Sequence, residues 1–379
     1  MNKRIVVLVC GVAVCVLLGG LNSALVFSSS QVRTDHGYGY TVVPTPQWWD
    51  SNWSYVKRIV VNHTRVLSDL VDFPVLVSEA SDPDLAAHAQ DGGGDIVFVD
   101  SLNLTRYPHE LEKFDGDSGE LQAWVRIPIL SSSSDTIMFM YYGNSGCGNQ
   151  QNVSGVWDDD FAGVWHMPDV TTSTINDSTT HGNNGVKTSV GSPVQVLGKI
   201  DGSQLFDGND DRITIANSTS LNPAVFTLEY WLRNLPPQSG DFFARMTGKT
   251  KGFETAIDSN DDYGNDDVSV YFYDGIWHDT GFDAVAGTWY YLVWMYDGDT
   301  VALSVNGTEV YSLSGQSVLL NGDLALGNVV GSLQGLSGGL DEARLSRVVR
   351  SDDWIGTCFQ TMNEPESFLS FGPEATQEI

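Results

Sequence analysis

Residues Thr288–Leu313 read TWYYLVWMYDGDTVALSVNGTEVYSL, and the three runs inside this stretch decide the fold class. Thr288–Tyr296, Val301–Asn306 and Thr308–Leu313 are dense in β-branched and aromatic residues, which pack well on a pleated surface. The Asn306-Gly307 pair between the last two is a hairpin signal, because a two-residue turn needs positive φ at both positions. Outward from this stretch the same style continues at Phe226–Arg233 (FTLEYWLR), Val268–Tyr273 (VSVYFY), Leu324–Gly327 and Leu340–Ser346. Earlier strand candidates are Tyr55–Asn62, Phe73–Ser78, Asp95–Asp100, Ala123–Leu130 and Thr136–Tyr142, separated by turn clusters such as SDPD, DGGG and DGDSG. Only Asp84–Gln90 shows helical spacing, and only briefly. The pattern predicts an all-β protein of two antiparallel β-sandwich domains, the second a jelly roll, after an N-terminal hydrophobic helix.

The chain has 379 residues, more than one hydrophobic core usually serves. Its 11 Trp, 14 Tyr and 16 Phe exclude a disordered chain. Lys+Arg number 19 against 48 Asp+Glu, a formal charge of -29 that repels phosphate backbones and argues against nucleic acid as a partner. Residues 1–30 read as a signal peptide or signal anchor: Lys3 and Arg4 precede a charge-free run from Ile5 to Leu18. No small-x-small cleavage site stands out, so the reading leans to an uncleaved anchor with the later residues outside the cell. A secreted protein is the alternative. Residues 31–47 form a linker with Pro44 and Pro46, 48–150 a first sandwich, 156–372 the jelly roll and 373–379 a tail.

Two features agree with export. Seven glycosylation sequons occur, at Asn52, Asn62, Asn103, Asn152, Asn176, Asn217 and Asn306. Outside the leader the only cysteines are Cys147 and Cys358, which flank one expected domain whose ends lie close in a sandwich. A disulfide between them is expected, with two unpaired buried thiols as the alternative. So long a loop would stabilise by roughly 5 kcal/mol in the chain-entropy picture.

VWHM (Val164–Met167), NDSTTHGNNG (Asn176–Gly185), LFDGNDDRITI (Leu205–Ile215), the hairpin Val301–Val310 and the closing block Gly338–Phe359 with Phe368–Gly372 come in order. In these blocks the chain resembles the laminin G-like, concanavalin A-like jelly-roll family of archaeal and bacterial surface proteins. WWDSNWSYVKRIVV, DFPVLV, GGDIVFVD, AWVRIPIL and MYYGN resemble the domain-of-unknown-function 2341 family, which commonly precedes that jelly roll. The first resemblance implies a structural Ca²⁺ held by Asp177 and Asn183 in one loop and Asp341 in the last strand, since Ca²⁺ takes six to eight oxygen ligands. Here Thr179 and Thr180 stand where the family usually has Gly. The plain alternative is that Asp177 and Asn183 shape turns and Asp341 ends a strand.

Among other acidic groups, Asp258–Asp267 fails as a helix-loop-helix calcium loop. Its sixth position is Tyr263 instead of Gly, and its twelfth is Ser269 instead of Glu. Tyr273, Trp277 and His278 lie in one turn and make a candidate ligand rim, because sugars stack on aromatic faces beside hydrogen-bonding side chains. Trp157, Trp165, Trp231, Trp289 and Trp294 read as core. Catalysis finds no support: there is no Glu-x-Asp-x-x-Glu triplet, no Gly-x-Ser-x-Gly and no His-Glu-x-x-His. The expectation is a non-enzymatic surface adhesion or binding protein that recognises an extracellular glycan or surface protein. A self-associating envelope component and a polysaccharide-degrading enzyme are the alternatives.

Overall fold

The computed structural model describes residues 48–377 apart from 171–172, 188–191, 236–242, 259–268 and 329–334, with backbone alone at 243–251 and 258. Of residues 1–47 only strand backbone is described, at Val6–Cys10, Ala13–Leu17, Leu25–Thr34 and Gly37–Val43. The hydrophobic helix expected over residues 1–30 is not among the described elements. No described helix is long and apolar enough to cross a membrane.

The first sandwich stacks two antiparallel sheets. One places Glu120–Leu130 between Leu70–Glu79 and His109–Asp115. The other runs, in order, Leu369–Thr376, Tyr55–Val61, Thr136–Tyr142, Val97–Asp100 and Arg106–Tyr107. Phe73, Val75, Phe98, Trp124, Ile127 and Met140 fill the space between them.

The chain end corrects the expected domain boundaries. Residues 373–379 were expected as a tail and 368–372 as the close of the jelly roll. Instead Leu369–Thr376 is an edge strand of the first sandwich, with Phe371 opposite Ile59 and Ala375 opposite Val56. The helix Asp352–Asn363 carries the chain there. Ser351 caps it by accepting from the Trp354 amide, and Asp352 and Asp353 in its first turn suit the positive end of the helix dipole. Its buried face (Trp354, Ile355, Cys358 and Met362) belongs to the first core, with the Trp354 ring 4.7 Å from Phe73. The first sandwich is therefore discontinuous in sequence and embraces the jelly roll.

The jelly roll is built from two eight-stranded antiparallel sheets. The inner one centres on Ser337–Ser346, flanked by Gly202–Asp207 and Phe226–Asn234 and also paired with Phe161–Trp165. Beyond Phe226–Asn234 come Trp289–Tyr296, Val301–Val305 and Thr308–Leu313, so the opening stretch of sequence forms three neighbouring strands. Asn306, at φ 51, and Gly307, at φ 80, make the expected tight turn. The outer sheet ends in the hairpin Ser269–Tyr273 and Trp277–Asp283. Between the sheets lies a core containing Trp165, Phe206, Leu228, Tyr230, Phe272 and Trp294.

The inner sheet is covered on its second face too. Trp231, Tyr291, Val293 and Met295 join the first core instead of the second. That is why FTLEYWLR and WYYLVWMY run almost unbroken in apolar residues: neither face of these strands meets water.

Candidate functional site

Where the two sandwiches meet, three strands deliver charged side chains into one buried cluster. In His109–Asp115, Glu110 and Glu112 are two apart and so share a face. Phe161–Trp165 leads directly into His166. Ser337–Ser346 contributes Asp341, Glu342 and Arg344. Adjacent strand residues normally face opposite ways, but the register against Phe226–Asn234 slips between Glu229 and Trp231, and Glu342 sits at φ 50. A non-glycine residue in that region carries about 1–3 kcal/mol of strain, and Asp341 and Glu342 are both fully buried in this doubly covered sheet.

The contacts are close. His166 Nδ1 lies 2.6 Å from Glu342 Oε1 and 3.5 Å from Glu112 Oε2, and its Nε2 lies 3.2 Å from Glu110 Oε2. Glu110 also accepts from Trp157 Nε1 at 2.7 Å and Ser178 Oγ at 2.7 Å. Glu112 Oε2 accepts from Trp124 Nε1 at 2.8 Å, while its Oε1 is buried without a hydrogen-bond partner. Arg344 donates to Glu342 Oε2 at 2.5 Å, and its guanidinium lies 4.3 Å from the Trp124 ring centroid and 5.1 Å from that of Trp157.

Charge and burial compete at each group. Burial pushes the His166 imidazolium toward losing its proton, but Glu342, Glu110 and Glu112 outweigh it and hold the group well above its ordinary value. Burial raises Glu110 and Glu342, and facing His166 reverses both, so each ends below the ordinary carboxylate range. Glu112 and Asp341 go the other way. Burial first and Glu342 second lift each well above its ordinary value. A cavity of about 160 Å³ lies against Glu110, Glu112 and His166 and reaches solvent beside the exposed Asn176.

The expected rim assembles at the tip of the Ser269–Asp283 hairpin. Tyr273 and Trp277 are cross-strand partners with ring centroids 5.0 Å apart and planes tilted by 45°. His278 stacks on Phe272 at 4.5 Å and its Nε2 lies 3.0 Å from Asp274 Oδ1. All three rim residues are half-buried, and Ile276 between them is 66% exposed. Gly275 closes the turn at φ 135 with open space around it. The acidic segment 259–268 lies outside the described residues.

The three residues expected to hold Ca²⁺ take separate parts. Asp177 organises its loop, accepting from the amides of Val164 at 3.0 Å, Thr179 at 2.9 Å and Asn183 at 2.7 Å. The Asn183 side chain bridges Ala162 O, Ser218 and Ser220. Asp341 accepts instead from the amides of Lys199 at 2.7 Å and Ile200 at 2.9 Å. That approach requires Gly198, where a Cβ would stand 2.5 Å from Asp341 Oδ2. A separate acidic group, Asp207, Asp210 and Asp211, lies on the LFDGNDDRITI loop, where burial and Asp207 push Asp211 up to about 6.

The expected disulfide is corrected: Cys147 and Cys358 are both free. Cys147 sits in a loop against the Trp53 and Tyr141 cluster, whereas Cys358 is buried on the helix under Tyr291 and Arg344, in a different core. Of the sequons, Asn52, Asn152, Asn176 and Asn217 are exposed. Asn103 is only 5% exposed, at φ 57. Asn62 caps a short 3-10 turn, and Asn306 Oδ1 accepts from the Tyr291 amide. Sequence reasoning missed the buried cluster. The available signals were Glu-x-Glu in a strand-like HELEKF and Glu-x-Arg in LDEARLS, each a period-two charge pattern inside apolar surroundings.

Two sandwiches with these clusters define a concanavalin A-like class of architecture. Residues 207–356 match the family described as the concanavalin A-like lectin/glucanases superfamily, and residues 92–178 match the domain of unknown function DUF2341. The chain thus joins a domain of each, as the motifs implied. The DUF2341 segment runs past the expected boundary at 150 and contains Glu110, Glu112, His166 and Ser178. No curated protein matches the chain. Among solved structures it is similar to domain 4 of AbnA, a GH43 extracellular arabinanase from Geobacillus stearothermophilus in complex with arabinotriose. The identity is 18% over 52% of this chain and 97% of that one, with a TM-score of 0.43. The binding domain of Paraclostridial Mosquitocidal Protein 1 aligns at 14% identity, over 54% of this chain and 53% of that one, with a TM-score of 0.39. That of botulinum neurotoxin DC in complex with SialylT aligns at 12%, over 54% and 51%, also at 0.39. Likenesses this distant assign no ligand and no residue role.

Proposed function

We propose that this chain is a surface-exposed carbohydrate-binding protein whose jelly roll recognises an extracellular glycan at the Ser269–Asp283 hairpin tip. The observation that carries the reading is the Tyr273–Trp277 ring pair beside Asp274 and His278 on an open turn. Aromatic rings offer the flat apolar face that a sugar's C–H groups need, and neighbouring carboxylate and imidazole groups hold its hydroxyls. The match of residues 207–356 to a lectin and glucanase superfamily supports the ligand class, though fold alone does not supply function. Binding, not turnover, is the proposed role. The cationic start and apolar run of residues 1–18 support export and tethering, with the folded domains outside the cell.

A glycan array probed with the full chain tests this. We expect binding to a defined glycan class, weakened about tenfold or more by Trp277→Ala. Absence of any glycan ligand, or binding indifferent to both Trp277→Ala and Tyr273→Ala, would overturn it. Turnover of a bound polysaccharide would replace recognition by catalysis.

A further inference from the structure

We propose that Glu112, His166 and Glu342 form a site for one divalent transition-metal ion, Zn²⁺ by preference, at the seam between the two sandwiches. Each offers one ligand atom, and the three lie within 4.8 Å of one another. The partners around them are arranged as the outer shell of a metal site is. Glu110 engages His166 Nε2, which fixes the ring and turns Nδ1 inward. Trp124 holds Glu112 by Oε2, and Arg344 holds Glu342 by Oε2. His166 and Glu342 are each anchored through one atom while the other faces its neighbour, and the Glu112 Oε2 that accepts from Trp124 is also the atom 3.5 Å from His166 Nδ1.

A second, independent observation is Glu112 Oε1. It is buried with no hydrogen-bond partner, on a side chain only 1% exposed. Leaving a buried carboxylate oxygen unpaired is costly, and a bound cation would remove the penalty.

The donor set selects the metal class. An imidazole with two carboxylates suits Zn²⁺ or a neighbouring transition ion, whereas Ca²⁺ would want six to eight oxygens. Three protein ligands leave a fourth position, and the cavity beside Glu112 and His166 supplies space for a water or a small oxygen ligand there.

The test uses the full chain, stripped with EDTA and titrated with Zn²⁺ alone. We expect one Zn²⁺ per folded chain, with affinity lowered about tenfold or more in both Glu112→Gln and His166→Gln. Should either variant fail to fold, X-ray absorption of the Zn²⁺-loaded wild type decides alone. Its spectrum should show one imidazole among oxygen ligands. No stoichiometric Zn²⁺ on folded wild type, sulfur or oxygen alone in the ligand shell, or undiminished affinity in a folded variant would each overturn the proposal.

Discussion

The jelly roll carries two histidines beside carboxylates, one on each of its sheets, and their surroundings could hardly differ more. His166 follows an inner-sheet strand covered on both faces, and it is only 6% exposed among Glu110, Glu112 and Glu342. His278 belongs to the hairpin at the end of the outer sheet, half-buried against Phe272 and one residue from the exposed tip. Covering the second face of the inner sheet turns ordinary strand positions into a buried electrostatic seam. Leaving the outer hairpin uncovered keeps its rings available to a ligand. On the proposed function, cohesion and recognition fall to different sheets of one fold.

The strongest way to break this contrast is to unbalance the seam. Arg344→Met leaves Glu342 without its guanidinium in a fully buried setting, and urea unfolding should show a loss of about 3–5 kcal/mol. A loss below about 1 kcal/mol would mean the seam contributes little cohesion. Next comes pH, in metal-free protein. His166 is raised above its ordinary 6.5, so its stabilisation is complete below that pH and disappears as pH rises through the folded value. Glu112 and Asp341 are raised too and weaken the fold in the same direction. Glu110 and Glu342 are lowered, so their contribution is present above their ordinary 4.5 and vanishes as pH falls through their folded values. The stability gap between wild type and His166→Gln, measured by urea midpoint, should narrow on the alkaline side. A gap independent of pH would separate His166 from the carboxylates.

Thiol reactivity sharpens the same distinction without altering stability. In unreduced protein Cys147 and Cys358 should both be found as thiols after denaturation, with Cys147 reacting in the native state and Cys358 only on unfolding. A single oxidised pair would restore the bridge that the sequence predicted. The smallest effect belongs to the open end: Ile276→Ser, at 66% exposure, should change stability by no more than about 0.5 kcal/mol.

Much of this architecture was legible in the residues. The NG hairpin, the aromatic strand runs and the Tyr273–Trp277–His278 rim all follow local rules, and local rules act within a few positions. The seam escaped because it is made of tertiary context. Glu110 and Glu342 are 232 positions apart, and His166 meets Glu342 because Phe161–Trp165 pairs with Ser337–Ser346, Trp165 opposite Ala343. Leu369–Thr376 was missed for a related reason. LSFGPEAT holds Gly372 and Pro373, which read as a chain leaving a fold, and the strand absorbs them through a register shift between Phe371 and Glu374. The Cys147–Cys358 pairing failed because domain ends were assumed to converge, whereas the helix bearing Cys358 turns back onto the first sandwich.

Side-by-side measurement of glycan affinity and melting midpoint in wild type, Trp277→Ala and Arg344→Met interrogates this division of labour in one experiment. Trp277→Ala should weaken the glycan about tenfold or more while its midpoint stays near wild type, and Arg344→Met should melt early yet bind normally below its midpoint. Full affinity in Trp277→Ala, with binding lost in folded Arg344→Met, would place recognition at the seam and contradict the account.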